Sequence, residues 1–165
     1  MDETRVRDVM ISGAKAVFAA EDEPMEKAIN EFLSQPDVHT LFIVDRHNKY
    51  KGAVKLHYIL NWVKLKLGME IVSRSSIRSV DSLQAFEVVK LCQSQTIGDI
   101  LSSGPEVNPE ATLAQALQIM VLEQATELPV VDKAGVFLGE IKLPQLLSKM
   151  LGDALKTGPV CETGT

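Results

Sequence analysis

Several features that mark specialised proteins are missing from this chain. It has two cysteines, Cys92 and Cys161, far apart among its 165 residues. No CxxC or Cys/His spacing suggests zinc. Cys92 falls on an apolar helical face and reads as a small buried hydrophobe; Cys161 falls in the tail. Concentrated positive charge is absent as well: the net charge is -5, and Lys and Arg are scattered. The densest group, Arg46-His47-Asn48-Lys49-Tyr50-Lys51, reads as a polar turn. A nucleic-acid surface is thereby excluded, because phosphate binding needs clustered cations. No apolar run approaches the ~20 residues that span a bilayer, so no membrane insertion is expected. Met1-Asp2-Glu3-Thr4-Arg5 is charged and leads into no apolar segment, which argues against a secretory signal and for a cytoplasmic protein or a soluble partner of something in the membrane. No nucleophile–base pair, metal-ligand set or phosphate loop is visible, so an enzyme is not expected.

The chain does hold enough apolar material for a core, at 45% hydrophobic and 24% charged, a soluble globular balance. Each half alone would be marginal. What organises it is an internal repeat. Residues 38–60 read VHTLFIVDRHNKYKGAVKLHYIL and residues 125–147 read ATELPVVDKAGVFLGEIKLPQLL. Gly52 and Gly139 stand 87 positions apart, as do Asp45 and Asp132. Upstream, MEKAINEFL matches LAQALQIMV, and Asp8-Val9-Met10 echoes Asp99-Ile100-Leu101.

Each unit reads as β-α-β-β-α. A short extended segment, Ala16 to Ala19 or around Val107, leads to a helix. Met25, Ala28, Ile29 and Phe32 fall at i, i+3, i+4 and i+7, as do Leu113, Ala116, Leu117 and Met120. Pro24 and the acidic Glu21-Asp22-Glu23 suit a helix entry; the same acids are a weaker Mg²⁺ candidate. Thr112 is an N-cap candidate. Two β-branched runs follow, Leu41 to Val44 and Leu128 to Val131, then polar turns, then return strands Gly52 to Leu56 and Phe137 to Leu143. This is a hairpin pattern. Last helices start near His57 and Pro144. Three strands with two helices on one face leave the other face bare, so two units are expected to pack sheet to sheet. The helix from Tyr58 to Leu67 is apolar nearly all round and should be buried by its own chain or a partner; Gly68 ends it. Residues 70–80 read as loop, and Asp81 with Gln84 as a capping box for a connector helix through Leu91, with a docking arm as the alternative.

The residues VRDVM, LFIVDRHNKYKGAVKLHYIL, TIGDIL and ELPVVDKAGVFLGEIKLPQLL make the chain resemble the cystathionine-β-synthase (CBS) domain family, over about residues 5–151. The resemblance implies an α/β (α+β) fold of two CBS repeats with pseudo-twofold symmetry: repeat 1 at 5–67, a helix-bearing linker at 68–95, repeat 2 at 96–151 and a flexible tail at 152–165. It implies a regulatory module that binds AMP, ATP or S-adenosylmethionine in clefts between the repeats, forms a homodimer and controls an unidentified partner.

The family signature is a glycine, two apolar residues, Thr or Ser for phosphate, two more residues, and Asp for the ribose diol. Here Gly52 and Gly139 stand, but Lys55 and Lys142 replace the hydroxyl, and Tyr58 and Gln145 replace the carboxylate. Thr40 and Glu127 occupy positions that the family sets near phosphate. The candidate ligand residues are therefore Thr40, Lys55, Tyr58, Glu127, Lys142 and Gln145. Lys55 and Lys142 read equally as an anion site in each repeat or as strand-end lysines that snorkel. Glu127 would repel polyphosphate or neutralise a lysine. His39, His47 and His57 show no metal or triad spacing and read as surface or hairpin residues. Two functions remain open. One is a sensor of a small ligand, an adenine nucleotide or other anion. The other is a degenerate pair serving as a dimerisation or partner-docking scaffold without ligand.

Overall fold

In the computed structural model, residues 4–13, 18–35, 38–68 and 89–157 are described, with side chains up to Asp153. The chain divides into two compact units that do not follow the repeats. A central unit comprises residues 17–104; a terminal unit joins residues 1–16 to 105–165. No helix among the described residues is long and apolar enough to cross a membrane.

The central unit contains β2 (Phe18–Ala20), α1 (Met25–Leu33), β3 (Thr40–Val44), β4 (Tyr50–Lys55) and α2 (Leu56–Lys66). β2 runs parallel to β3, and β3 antiparallel to β4 with Thr40 opposite Lys55. The expected α1 stripe is the buried one: Met25, Ala28, Ile29 and Phe32 are each at most 3% exposed. They pack on Leu41, Ile43 and Val54 of the sheet and on Ile59 and Trp62 of α2. Burial of each large side chain contributes about 1.5–3 kcal/mol. α2 is thus less greasy outside than its composition implies, because Ile59 and Trp62 face the unit's own core. Leu60 and Leu67 stay exposed, at 48% and 68%. Gly68, at φ 67°, ends the helix as expected.

The connector reading is only partly covered: residues 70–80 and 81–88 lie outside the described residues, and 89–93 are helical. Leu91 joins the core. Cys92, expected to be buried, is exposed; the helix turns Leu91 inward, and its neighbour, about 100° round the axis, points away.

The terminal unit contains β1 (Ile11–Ser12), α3 (Leu113–Glu123), β5 (Glu127–Val131), β6 (Phe137–Lys142) and α4 (Leu143–Thr157). Its sheet order is β1-β6-β5, all antiparallel. Thr112 caps α3 in a full capping box with Gln115. The last helix starts near Pro144 as expected, with Pro144 as the second residue of α4. α4 runs on to Thr157, into the segment read as tail.

The hairpins match in detail. Asp45 Oδ1 accepts N–H bonds from His47 and Lys49, at 2.8 and 3.0 Å; Asp132 Oδ1 accepts from Ala134 and Val136, at 2.8 and 2.9 Å. Asn48 (φ 59°) and Gly135 (φ 82°) take the left-handed position of each turn. Those N–H donors favour the charged carboxylate and hold Asp45 below its usual pKa, the Lys49 bond foremost.

An exchange of edges is the feature that the repeat hides. In the terminal unit, the edge beside β6 is β1, from the opening of repeat 1. In the central unit, Ser102, from the opening of repeat 2, bridges to Ala53 of β4; N–H···O bonds of 3.0 and 2.9 Å run both ways. The lead-in segments contribute the opposite edges: β2 beside β3, and Val107 bridged in parallel to Val130.

Candidate functional site

In each unit the candidate residues gather where the second hairpin strand enters the following helix. The glycine of that strand sits under the exchanged edge. A Cβ on Gly139 would run into the carbonyl oxygen of Ile11, and one on Gly52 would come within 2.6 Å of the Ser102 carbonyl oxygen. Both glycines pair across the hairpin with equivalent residues, Ile43 and Val130. Their retention is therefore a backbone requirement whether or not a ligand binds.

In the central unit, Thr40 is half-buried and faces Lys55 across the hairpin. Lys55 is exposed and is the N-cap residue of α2. Tyr58 lies in the first turn of α2, half-buried against the core, with its ring 4.2 Å from that of His57. The structure thus brings Thr40 and Lys55 together, and gives Tyr58 a packing role besides any contact with ligand.

The terminal unit is built differently on the same backbone. Glu127 faces Lys142, and the Lys142 ammonium lies 3.9 Å from Glu127 Oε1 and 3.8 Å from Glu140 Oε1. Both carboxylate side chains are 5% exposed, against 22% for Lys142. Burial pushes the Glu140 carboxyl above its ordinary pKa; Lys142 opposes that rise and Glu127 adds to it. Glu140 is the site residue that the sequence reading missed. Its signal was available: Ala53 stands at the matching position of the other repeat, so an acid had replaced a small apolar residue on an inward-facing strand. Gln145 is exposed on α4 and lines an open surface depression with Val9, Pro144 and Lys149, a lining that does not include Glu127, Glu140 or Lys142. The described residues contain no group of three or more His, Cys, Asp and Glu able to hold a metal. Glu23 of the acidic entry instead pairs with Lys27 at 2.7 Å.

A profile of the CBS domain matches residues 6–65 and 97–152. The chain belongs to the CBS domain family. Solved CBS-pair structures share its fold. One is CBSX2 in complex with AMP, 17% identical at a TM-score of 0.68, covering 90% of this chain and 97% of that one. CBSX2 from Arabidopsis thaliana is 18% identical at 0.66, covering 95% and 99%. A CBS domain-containing protein from Thermotoga maritima is 21% identical at 0.64, covering 92% and 97%. No curated protein matches the chain.

The CBS assignment sharpens what is unusual. Both repeats keep the family glycine and neither keeps the hydroxyl or the diol-binding carboxylate. Tyr58 has no carboxylate lone pairs to offer, and Gln145 is neutral with a single carbonyl acceptor. Each charge-assisted hydrogen bond lost is worth ~1.5–3 kcal/mol.

Proposed function

We propose that this CBS pair is a non-catalytic regulatory module that senses an anionic small ligand, an adenine nucleotide held chiefly through its phosphates. The observation that carries the reading is the strand–helix corner itself: the family glycine is kept, and an exposed lysine, Lys55, stands where the family places its phosphate-binding hydroxyl. A neighbour of the same fold is solved with AMP, which supports the ligand class. With no carboxylate for the ribose, affinity is expected to rise from adenosine to AMP to ATP and to fall with salt, since exposed charge is screened within ~10 Å at 0.1 M. Calorimetry with the three ligands at two salt concentrations checks this. Tight, salt-insensitive binding of adenosine would overturn it.

A specific surface favours a second role, self-association. On α3, Val121 and Leu122 are 68% and 73% exposed, and Leu60 on α2 and Leu67 at its C-cap are also open. Adjacent bare apolar residues on helices suit burial against another copy. A homodimer is expected by sedimentation at micromolar concentration, and the double substitution Val121→Asp, Leu122→Asp should shift it to monomer. A wild-type monomer at that concentration would remove this role. No nucleotide binding together with a persistent dimer would leave the scaffold function standing in place of the sensor.

A further inference from the structure

The two CBS repeats present the same backbone at their strand–helix corners with opposite electrostatics. Position by position, Thr40, Ala53 and Lys55 of the central unit become Glu127, Glu140 and Lys142 of the terminal unit. Lys142 is held by two carboxylates, each 5% exposed and each within 4 Å of its ammonium. Lys55 has Thr40 opposite and Ala53 two residues before it, so no acid occupies either equivalent place.

Resting on the sensor reading, we infer that anion binding is confined to the Lys55 corner, and that Glu127 and Glu140 are the specificity-determining residues that deny it to the Lys142 corner. A phosphate approaching Lys142 must displace two carboxylates from the ammonium or sit beside them. Both are buried, where solvent screens like charges poorly. Two carboxylates against one ammonium give that cluster net negative charge when all three are ionised. Lys55 is exposed, and among the described residues it has no ion pair to break when it meets a phosphate. The recurrence of lysine in both repeats therefore conceals two different roles: one for a ligand and one for a pair of internal acids.

The exchange of residues between repeats supplies the test. The full chain is titrated with ATP at low salt by calorimetry. Wild type is expected to show a single site, and Lys55→Ala, an exposed change, to weaken it about tenfold or more, the effect of losing one charge-assisted contact. The double substitution Glu127→Thr, Glu140→Ala copies the central unit and should create a second site, removed again by adding Lys142→Ala. Circular dichroism checks that each variant is folded. Binding that survives Lys55→Ala at full strength overturns the inference while leaving the sensor reading intact. A folded double variant with no second site also overturns the exclusion role of the acids. No ATP binding by wild type or by the double variant overturns both readings together.

Discussion

Gly139→Ala is expected to destabilise the protein by about 3 kcal/mol or more, the upper part of the range for overpacking. For a chain of this size that lowers Tm by roughly 6–12 °C. The new methyl would strike the Ile11 carbonyl, and what it strikes is backbone, not a side chain that could rotate. β1 holds the edge of the terminal sheet through its pairing with β6, Ile11 opposite Glu140 and Ser12 opposite Gly139. The strand must either move off or drag β6 with it. The φ of 158° adds to the cost for any residue with a Cβ. Gly52→Ala should do the same to the central unit, where the Ser102 carbonyl lies 2.6 Å from the methyl position. Gly104→Ala is the control. Nothing lies within 4 Å of a Cβ there, and the change should stay within about 0.5 kcal/mol. Thermal unfolding of the three variants checks the ranking; equal Tm values for Gly104→Ala and Gly139→Ala would contradict it.

Lys142→Ala is expected to cost about 2–3 kcal/mol at neutral pH. Breaking a buried ion pair costs about 3–5 kcal/mol, and the lower figure reflects a lysine side chain that is still 22% exposed, with its ammonium 3.8–3.9 Å from its partners. What remains is two buried carboxylates with their shared cation gone. The pH dependence identifies the cause. Glu140 already has a raised pKa, set by burial and opposed by Lys142. A carboxyl raised on folding contributes stability in full below its unfolded value, near 4.5, and loses that contribution as pH rises through the folded value. Without Lys142 the folded value rises further. The deficit of the variant should therefore be largest near neutrality and shrink as pH falls toward the ordinary glutamate range. Lys55→Ala should leave stability unchanged at every pH. Denaturant melts between pH 4.5 and 7.5 test this; a deficit independent of pH would point to lost packing of the lysine stem instead.

The hairpins, the buried stripe of α1, the Leu113, Ala116 and Met120 positions of α3 (Leu117 is only half-buried) and the Thr112 cap were legible in the sequence because each is local. The i, i+3, i+4, i+7 spacing of Met25 to Phe32 and the Asp-led turns need no knowledge of distant residues. Cys92 was misplaced because one apolar neighbour, Leu91, does not say which way the next residue turns. Glu140 lies outside the signature positions held by Lys142 and Gln145, and its burial is a tertiary fact that no local pattern carries. The edge exchange was invisible for the same reason. Ile11-Ser12 and the stretch around Ser102 are too short and too ordinary for any periodicity to announce them as edges.

That exchange sets an order on synthesis. The central unit is one continuous stretch, 17–104, while the terminal unit needs residues from both sides of that stretch. On the ribosome the central unit is complete when its partner is only begun. Ile11 and Ser12 emerge well over a hundred residues, about 125, before β6 at Phe137–Lys142, the strand they pair with. At about 5–20 residues per second, the β1 edge waits roughly 6–25 s for its partner strand with its backbone donors and acceptors turned to water, and the terminal sheet closes only after every residue of the central unit has been made.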